Sequence, residues 1–228
     1  MRILLLRHGQ TPFNLTGTID TVIPGANLTD LGTRQARAVP DALAGESIGA
    51  IFASSLVRTQ LTAQPLSDAL GLPIRVLDGL REIEGGDLEG LHDFQSQREY
   101  LDIAFGWSRG DMSRHIPGAE SGHEFFSRFD GAIETVFEAG VEVAVVVSHG
   151  SAIRAWVGGR CTNVDEGFSG HHQLDNTGLA ILEGEDIRSL RLLDWRSAPA
   201  GGPAFADPSA IDPTGEGLEA GSSRMPRD

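Results

Sequence analysis

The chain has 228 residues, 40% of them hydrophobic, and a formal net charge of -14. That length suits one α/β domain with its own core, and that charge excludes a general binder of nucleic acid or anionic membranes, because the whole molecule's field repels polyanions. All eighteen basic side chains are arginine, which also excludes lysine Schiff-base chemistry and a Walker-type lysine.

An anionic ligand must therefore be attracted locally, by guanidinium forks that match phosphate and carboxylate oxygens. The single Cys161 cannot form an internal disulfide, which fits a reducing compartment. No apolar run approaches the roughly 20 residues of a membrane span, and the opening residues read as a strand rather than a secretory leader. The expected location is the cytoplasm.

In chain order, Arg2 to Leu6 is an apolar run that predicts a short, fully buried strand. It stops at Arg7-His8-Gly9, and ligands of open α/β sheets bind at such carboxyl edges. Residues 8 to 28 are punctuated by Gly9, Pro12, Asn14, Gly17, Pro24, Gly25 and Asn27, which predicts a long loop. Loops of that length in compact domains are usually functional or disordered. Thr29 then caps a helix in which Leu31, Ala36, Val39, Ala42 and Leu43 recur at helical spacing, with Pro40 expected to kink or shorten it. Residues 49 to 53 predict a second buried strand. Ser54 or Ser55 is expected to cap a helix reaching about Leu70, which puts Arg58 in its first turn. A third strand covers 73 to 77.

Residues 79 to 92 form an acidic loop with four glycines, followed by a helix over about 93 to 105. Ser121 caps an amphipathic helix whose Phe125, Phe129, Ile133, Val136 and Phe137 share a face, and Gly140 ends it. Val141 to Val147 is the most apolar strand. It stops at Ser148-His149-Gly150-Ser151, where another helix begins. Residues 178 to 182 and 187 to 194 read as a hairpin turning near Gly184. This order predicts a three-layer α/β/α sandwich with a mostly parallel central sheet over residues 1–196. Residues 197–228 are rich in Gly, Pro, Ala, Ser and acids and read as a disordered tail, from which Phe205 is the residue that could dock.

Strand ends and helix starts thus bring Arg7, His8, Arg58 and His149 to one sheet edge, with Glu82 in the loop after the third strand. Singly, a buried histidine is more often a hydrogen-bonded core residue, an arginine a surface fork and a loop glutamate a solvated acid. Their recurrence where helix N-terminal amides also point makes a phosphate seat the better reading.

The motifs R-H-G-Q-T with Asn14, S-S-L-x-R-T-x-x-T-A at 54 to 63, L-R-E-x-x-x-G-x-L-E-G at 80 to 90 and V-S-H-G at 147 to 150 carry a resemblance. In this order, spread over residues 3 to 183, they resemble the histidine phosphatase superfamily, which includes the phosphoglycerate mutases and their phosphatase relatives. The resemblance implies a phosphoglycerate mutase-like fold and a phosphoryl acceptor at His8, whose other ring nitrogen donates to a backbone oxygen. It implies that Arg7, Arg58 and protonated His149 surround the transferred oxygens, that Asn14 and the Gly150 amide add donors, and that Glu82 serves as proton donor and then acceptor. Spacing alone does not separate Glu82 from Glu84 or Glu89; the motif alignment selects Glu82. No metal or organic cofactor is implied. His92, His115, His123 and the His171-His172 pair lack the spacing of recognisable metal sites.

Three departures bear on substrate. Gln10 stands where many relatives carry an acid, Leu88 where an aromatic is frequent, and the stretch DTVIPGANL from Asp20 to Leu28 is longer than the usual link and could form a different lid. The span between Gly90 and Ser121 is short and offers only Arg98, Arg109 and Arg114, where mutase relatives carry a longer basic insertion. The reading is therefore a phosphatase acting on a small phosphorylated metabolite, with mutase-type transfer as the alternative and a non-catalytic phospho-ligand binder as the alternative of another class. A second copy of the chain, as a homodimer, is the candidate protein partner.

Overall fold

A computed structural model describes residues 1–215. The opening strand β1 (Arg2–Arg7) lies inside a six-stranded sheet. The other strands are β2 (Ile48–Ala53), β3 (Ile74–Val76), β4 (Val143–Ser148), β5 (Leu179–Glu183) and β6 (Arg191–Arg196), in the spatial order β3-β2-β4-β1-β5-β6. Strands β3, β2, β4 and β1 run parallel, while β5 and β6 add an antiparallel hairpin at β1's other side. The expected mostly parallel sheet and three layers are what the chain forms.

Alternation along the strands divides the core. Ile3 and Leu5 face one layer with Ala144 and Val146, where Phe125, Phe129 and Trp156 pack; Leu4 and Leu6 face the other with Val145 and Val147, against Val39 and Leu66. The first layer is built from α4 (Phe94–Gly106), α5 (Gly122–Glu138) and α6 (Gly150–Arg160), and the second from α2 (Asp30–Ala42) and α3 (Val57–Leu70). Thr29, Asp93 and Ser121 cap their helices through side-chain oxygens, satisfying amides that the first turn leaves unpaired. Pro40 stays inside α2, which ends two residues later at Ala42.

The structure differs from the sequence reading in three places. The stretch expected to be loop from residue 8 contains a short helix, α1 (Pro12–Thr16), closed by a capping box between Thr11 and Asn14. Neither Ser54 nor Ser55 caps α3, whose N-cap is Leu56; Ser54 turns inward to a histidine and Ser55 bonds Asp78. Residues 197–215, expected to be disordered, lie against the body, with Ala200 packed on the second core cluster and polar contacts that include Gln35 Nε2 to the Phe205 carbonyl at 2.8 Å. A count of apolar side chains misses order held by ion pairs and hydrogen bonds. The remainder of that stretch, 216–228, is outside the described residues.

Candidate functional site

Parallel pairing aligns three strand ends. Arg7 is in register with Ser148 and Ala53 with Val147, so His8, Ser54 and His149 emerge together at the carboxyl edge. The His8 amide donates to the Ser148 carbonyl at 3.0 Å, and the two imidazole centroids are 5.3 Å apart. A cavity of about 30 Å³ opens there, lined among others by His8, Asn14, Asp20, Arg58, Glu82 and Tyr100. The other three residues named from the sequence, Arg7, His149 and Gly150, are buried and are not among the residues that line it. Gly150 has to be small: a Cβ there would stand 3.0 Å from Arg7 Nε and 2.8 Å from the Thr214 carbonyl oxygen.

The His8 ring is fixed by its backbone. Nδ1 lies 2.8 Å from the Gly9 carbonyl oxygen, which can only accept, so Nδ1 carries the proton and Nε2 keeps its lone pair. Burial, followed by the fields of Arg58 and Arg7, holds this imidazole's pKa well below its ordinary value. His8 is therefore a neutral, oriented imidazole whose Nε2 carries no proton.

His149 is also neutral. Arg58 Nε donates to its Nδ1 at 3.2 Å, leaving Nε2 as the protonated nitrogen that donates to Ser54 Oγ at 2.7 Å. The sequence reading expects an imidazolium here. Burial and then the Arg58 charge push its pKa well below the ordinary value, and a guanidinium N–H needs an acceptor.

Each guanidinium is held by a loop carboxylate. Arg58 donates from Nη1 to Asp20 Oδ2 at 3.1 Å and from Nη2 to the Asp20 carbonyl at 2.8 Å. Arg7 Nη1 reaches the Leu174 carbonyl at 2.7 Å, and Nη2 reaches Thr214 Oγ1 at 2.8 Å and Asp212 at 2.7 Å. Arg7 Nε, fully buried, has no hydrogen-bond partner among the described residues. Asn14 accepts from the Thr11 amide at 2.9 Å through Oδ1, which turns its amide nitrogen toward Asp212 Oδ1 at 3.2 Å.

Glu82 lies at the amino end of α6. Its carboxylate accepts from the Ala152 amide at 2.7 Å, the Ile83 amide at 3.0 Å and the Ser151 amide at 3.2 Å. Burial raises its pKa above the ordinary carboxyl range, opposed by those amides and by Arg58. Such a carboxyl group can carry a proton nearer neutrality than an exposed one. Glu84 and Glu89 are engaged elsewhere: Glu84 pairs with Arg81, and Glu89 accepts from the Thr21 amide and hydroxyl at 2.8 and 2.6 Å. Glu89 thereby ties the Asp20–Leu28 loop to the acidic loop.

All seven residues named from sequence converge on this edge. Sequence reasoning missed Asp20, Ser54 as a histidine partner, Tyr100, Asp212 and Thr214. Asp20 falls within a stretch whose unusual length is visible, but no spacing marks it as an arginine's partner.

Residues 3–196 match the family model of the histidine phosphatase superfamily (branch 1). The chain is 36% identical over 216 residues to the PE-PGRS family protein PE_PGRS11 of Mycobacterium tuberculosis, covering 86% of this chain but 36% of that protein's length. It is 28% identical over 190 residues to a putative phosphoserine phosphatase 2 of Hydrogenobacter thermophilus, covering 82% of this chain and 92% of that one. Among solved structures, mycobacterial glucosyl-3-phosphoglycerate phosphatase in complex with VO3 superposes with a TM-score of 0.72 at 27% identity, over 86% of this chain and 99% of that chain.

Proposed function

We propose that the chain, which belongs to the histidine phosphatase superfamily, hydrolyses a small phosphomonoester with His8 as the phosphoryl acceptor. The observation that carries the assignment is the 2.8 Å contact between His8 Nδ1 and the Gly9 carbonyl, which leaves Nε2 unprotonated. Nε2 attacks phosphorus in line, the phosphorus–oxygen bond to the alcohol breaks, and the departing oxygen takes the proton from Glu82. Water then attacks the phosphohistidine, gives its proton to the Glu82 carboxylate, and releases inorganic phosphate with neutral His8. Arg7, Arg58, Asn14 and the amide of Gly150 hold the equatorial oxygens, supplying charge where a metal ion serves in other phosphoryl transferases. His149 steadies the Arg58 fork by accepting its Nε–H at Nδ1.

The curated relatives and solved structures named for phosphoserine and for glucosyl-3-phosphoglycerate support a small hydroxylated metabolite as the alcohol. The net charge of -14 supports an enzyme acting without a nucleic-acid partner. No described helix is long and apolar enough to cross a membrane, and the cytoplasm remains our proposed location.

A panel of phosphorylated metabolites, assayed with the wild type and with His8→Ala, tests the reading. Release of inorganic phosphate by the wild type and its loss in the variant is the expected result. Interconversion of 2- and 3-phosphoglycerate with a bisphosphoglycerate primer, faster than phosphate release from any substrate, would replace hydrolysis by mutase-type transfer.

A further inference from the structure

The stretch from Asp207 to Gly215 contributes Thr214 to the lining of the cavity and places the Asp212 carboxylate on Arg7 and Asn14, two of the groups assigned above to the substrate's phosphoryl oxygens. We propose that this segment is a built-in competitor: the Asp212 carboxylate occupies the anion seat on Arg7 and Asn14 and swings out before a phosphomonoester binds. The proposal rests on the reading of Arg7 and Asn14 as phosphoryl ligands.

Asp212 Oδ1 lies 2.9 Å from Arg7 Nη2 and 3.2 Å from Asn14 Nδ2, and Oδ2 is 2.7 Å from Arg7 Nη2. Thr214 closes the seat from the side, its hydroxyl donating to Asp212 Oδ1 at 2.9 Å and accepting from Arg7 Nη2 at 2.8 Å. The cavity that remains beside them, about 30 Å³, has room for little more than water. A phosphoryl dianion and this carboxylate cannot share the same two donors, and like charges in contact oppose each other strongly. The fully buried Arg7 Nε still lacks a partner among the described residues, so the seat offers one more donor than the carboxylate uses.

What holds the segment down is polar and so open to exchange. Gln10 Nε2 donates to Asp207 Oδ2 at 3.0 Å, the Ile211 amide to the Leu15 carbonyl at 3.4 Å, Arg154 Nη1 to the Thr214 carbonyl at 2.9 Å, and the Leu174 amide to the Gly215 carbonyl at 2.9 Å. None of its side chains joins either core cluster, and Ile211 is 45% exposed. Segments held by few apolar contacts open at small free-energy cost. A doubly charged ligand can take over the Arg7 and Asn14 contacts while no core packing is lost.

A self-competitor lowers apparent affinity by the fraction of molecules that are open, so a segment closed nine-tenths of the time weakens binding about tenfold. Two measurements on the full chain test this. Isothermal titration with inorganic phosphate should show tighter binding by Asp212→Asn than by wild type, about tenfold, with KM for an aryl phosphate falling in parallel and kcat not reduced. Amide hydrogen exchange on the wild type should show residues 207–215 exchanging faster when phosphate is added. Unchanged or weaker phosphate binding by the variant, or unchanged protection of 207–215, overturns the competitor and leaves Asp212 as a group that merely holds Arg7. Titration reads binding without turnover. Loss of the tail effect with catalysis intact sinks this proposal alone, whereas an active His8→Ala enzyme sinks the phosphohistidine reading and leaves the competition measurable.

Discussion

Arg58 donates through Nε to Nδ1 of His149 at 3.2 Å, so the second imidazole of the site is an acceptor for a cation rather than a cation itself. One guanidinium then organises three groups, since its remaining nitrogens hold the Asp20 side chain and carbonyl at 3.1 and 2.8 Å. Arg58 fixes the histidine with its inner nitrogen and the entrance loop with its outer two.

A lysine at this position keeps the charge and loses the fork, because one ammonium cannot span His149 and Asp20 together. Arg58→Ala should lower kcat/KM by about 10²- to 10³-fold, the usual loss for one preorganised transition-state donor. Arg58→Lys should recover only a small part of it. Steady-state kinetics with an alkyl phosphomonoester provide the check; full recovery by lysine would mean that charge alone matters.

The pH dependence follows from two opposite shifts. His8 attacks only when neutral, and its pKa is depressed below 6.5, so activity is lost as pH falls through that lowered value. Glu82 must be protonated to serve the leaving group, and its pKa is raised above 4.5, so activity is lost as pH rises through that higher value. The kcat/KM profile for an alkyl phosphate should be a bell with its maximum between the lowered His8 value and the raised Glu82 value. With p-nitrophenyl phosphate, whose leaving group departs without a proton, the alkaline limb should flatten. Glu82→Gln should flatten it for the alkyl substrate at a much lower rate.

Most of this framework is legible in the sequence because it follows from period and punctuation. The buried run before Arg7-His8 and the valine-rich run before His149 read as buried strands, and the parallel pairing of these two brings their carboxyl ends to one edge. Which face each polar group turns to is set by hydrogen bonding at longer range. Ser54 looks like a helix cap because it precedes one, yet Leu56 takes that position and Ser54 bonds His149 at 2.7 Å. Asp212 lies in a stretch with too few apolar residues to predict order, and its order comes from an arginine 205 residues earlier. Pairings of that separation leave no local periodicity to read.

Ser54→Ala tests the histidine's support apart from its chemistry. The substitution removes the acceptor of the buried His149 Nε2–H and the partner of the Leu56 amide at 3.2 Å. A buried donor left unsatisfied costs about 1–3 kcal/mol, so urea unfolding should show a loss of that size. A change below a few tenths would mean that His149 finds another partner.

The central claim is that His8 Nε2 takes the phosphoryl group, and rapid quenching into alkali during turnover, followed by peptide mass spectrometry, tests it most directly. The account predicts an acid-labile phosphoryl group on the peptide carrying His8, absent in His8→Ala, whose hydrolysis of the same substrate is lost. Turnover retained by the alanine variant, with no phosphorylated His8 peptide captured from the wild type, would contradict it.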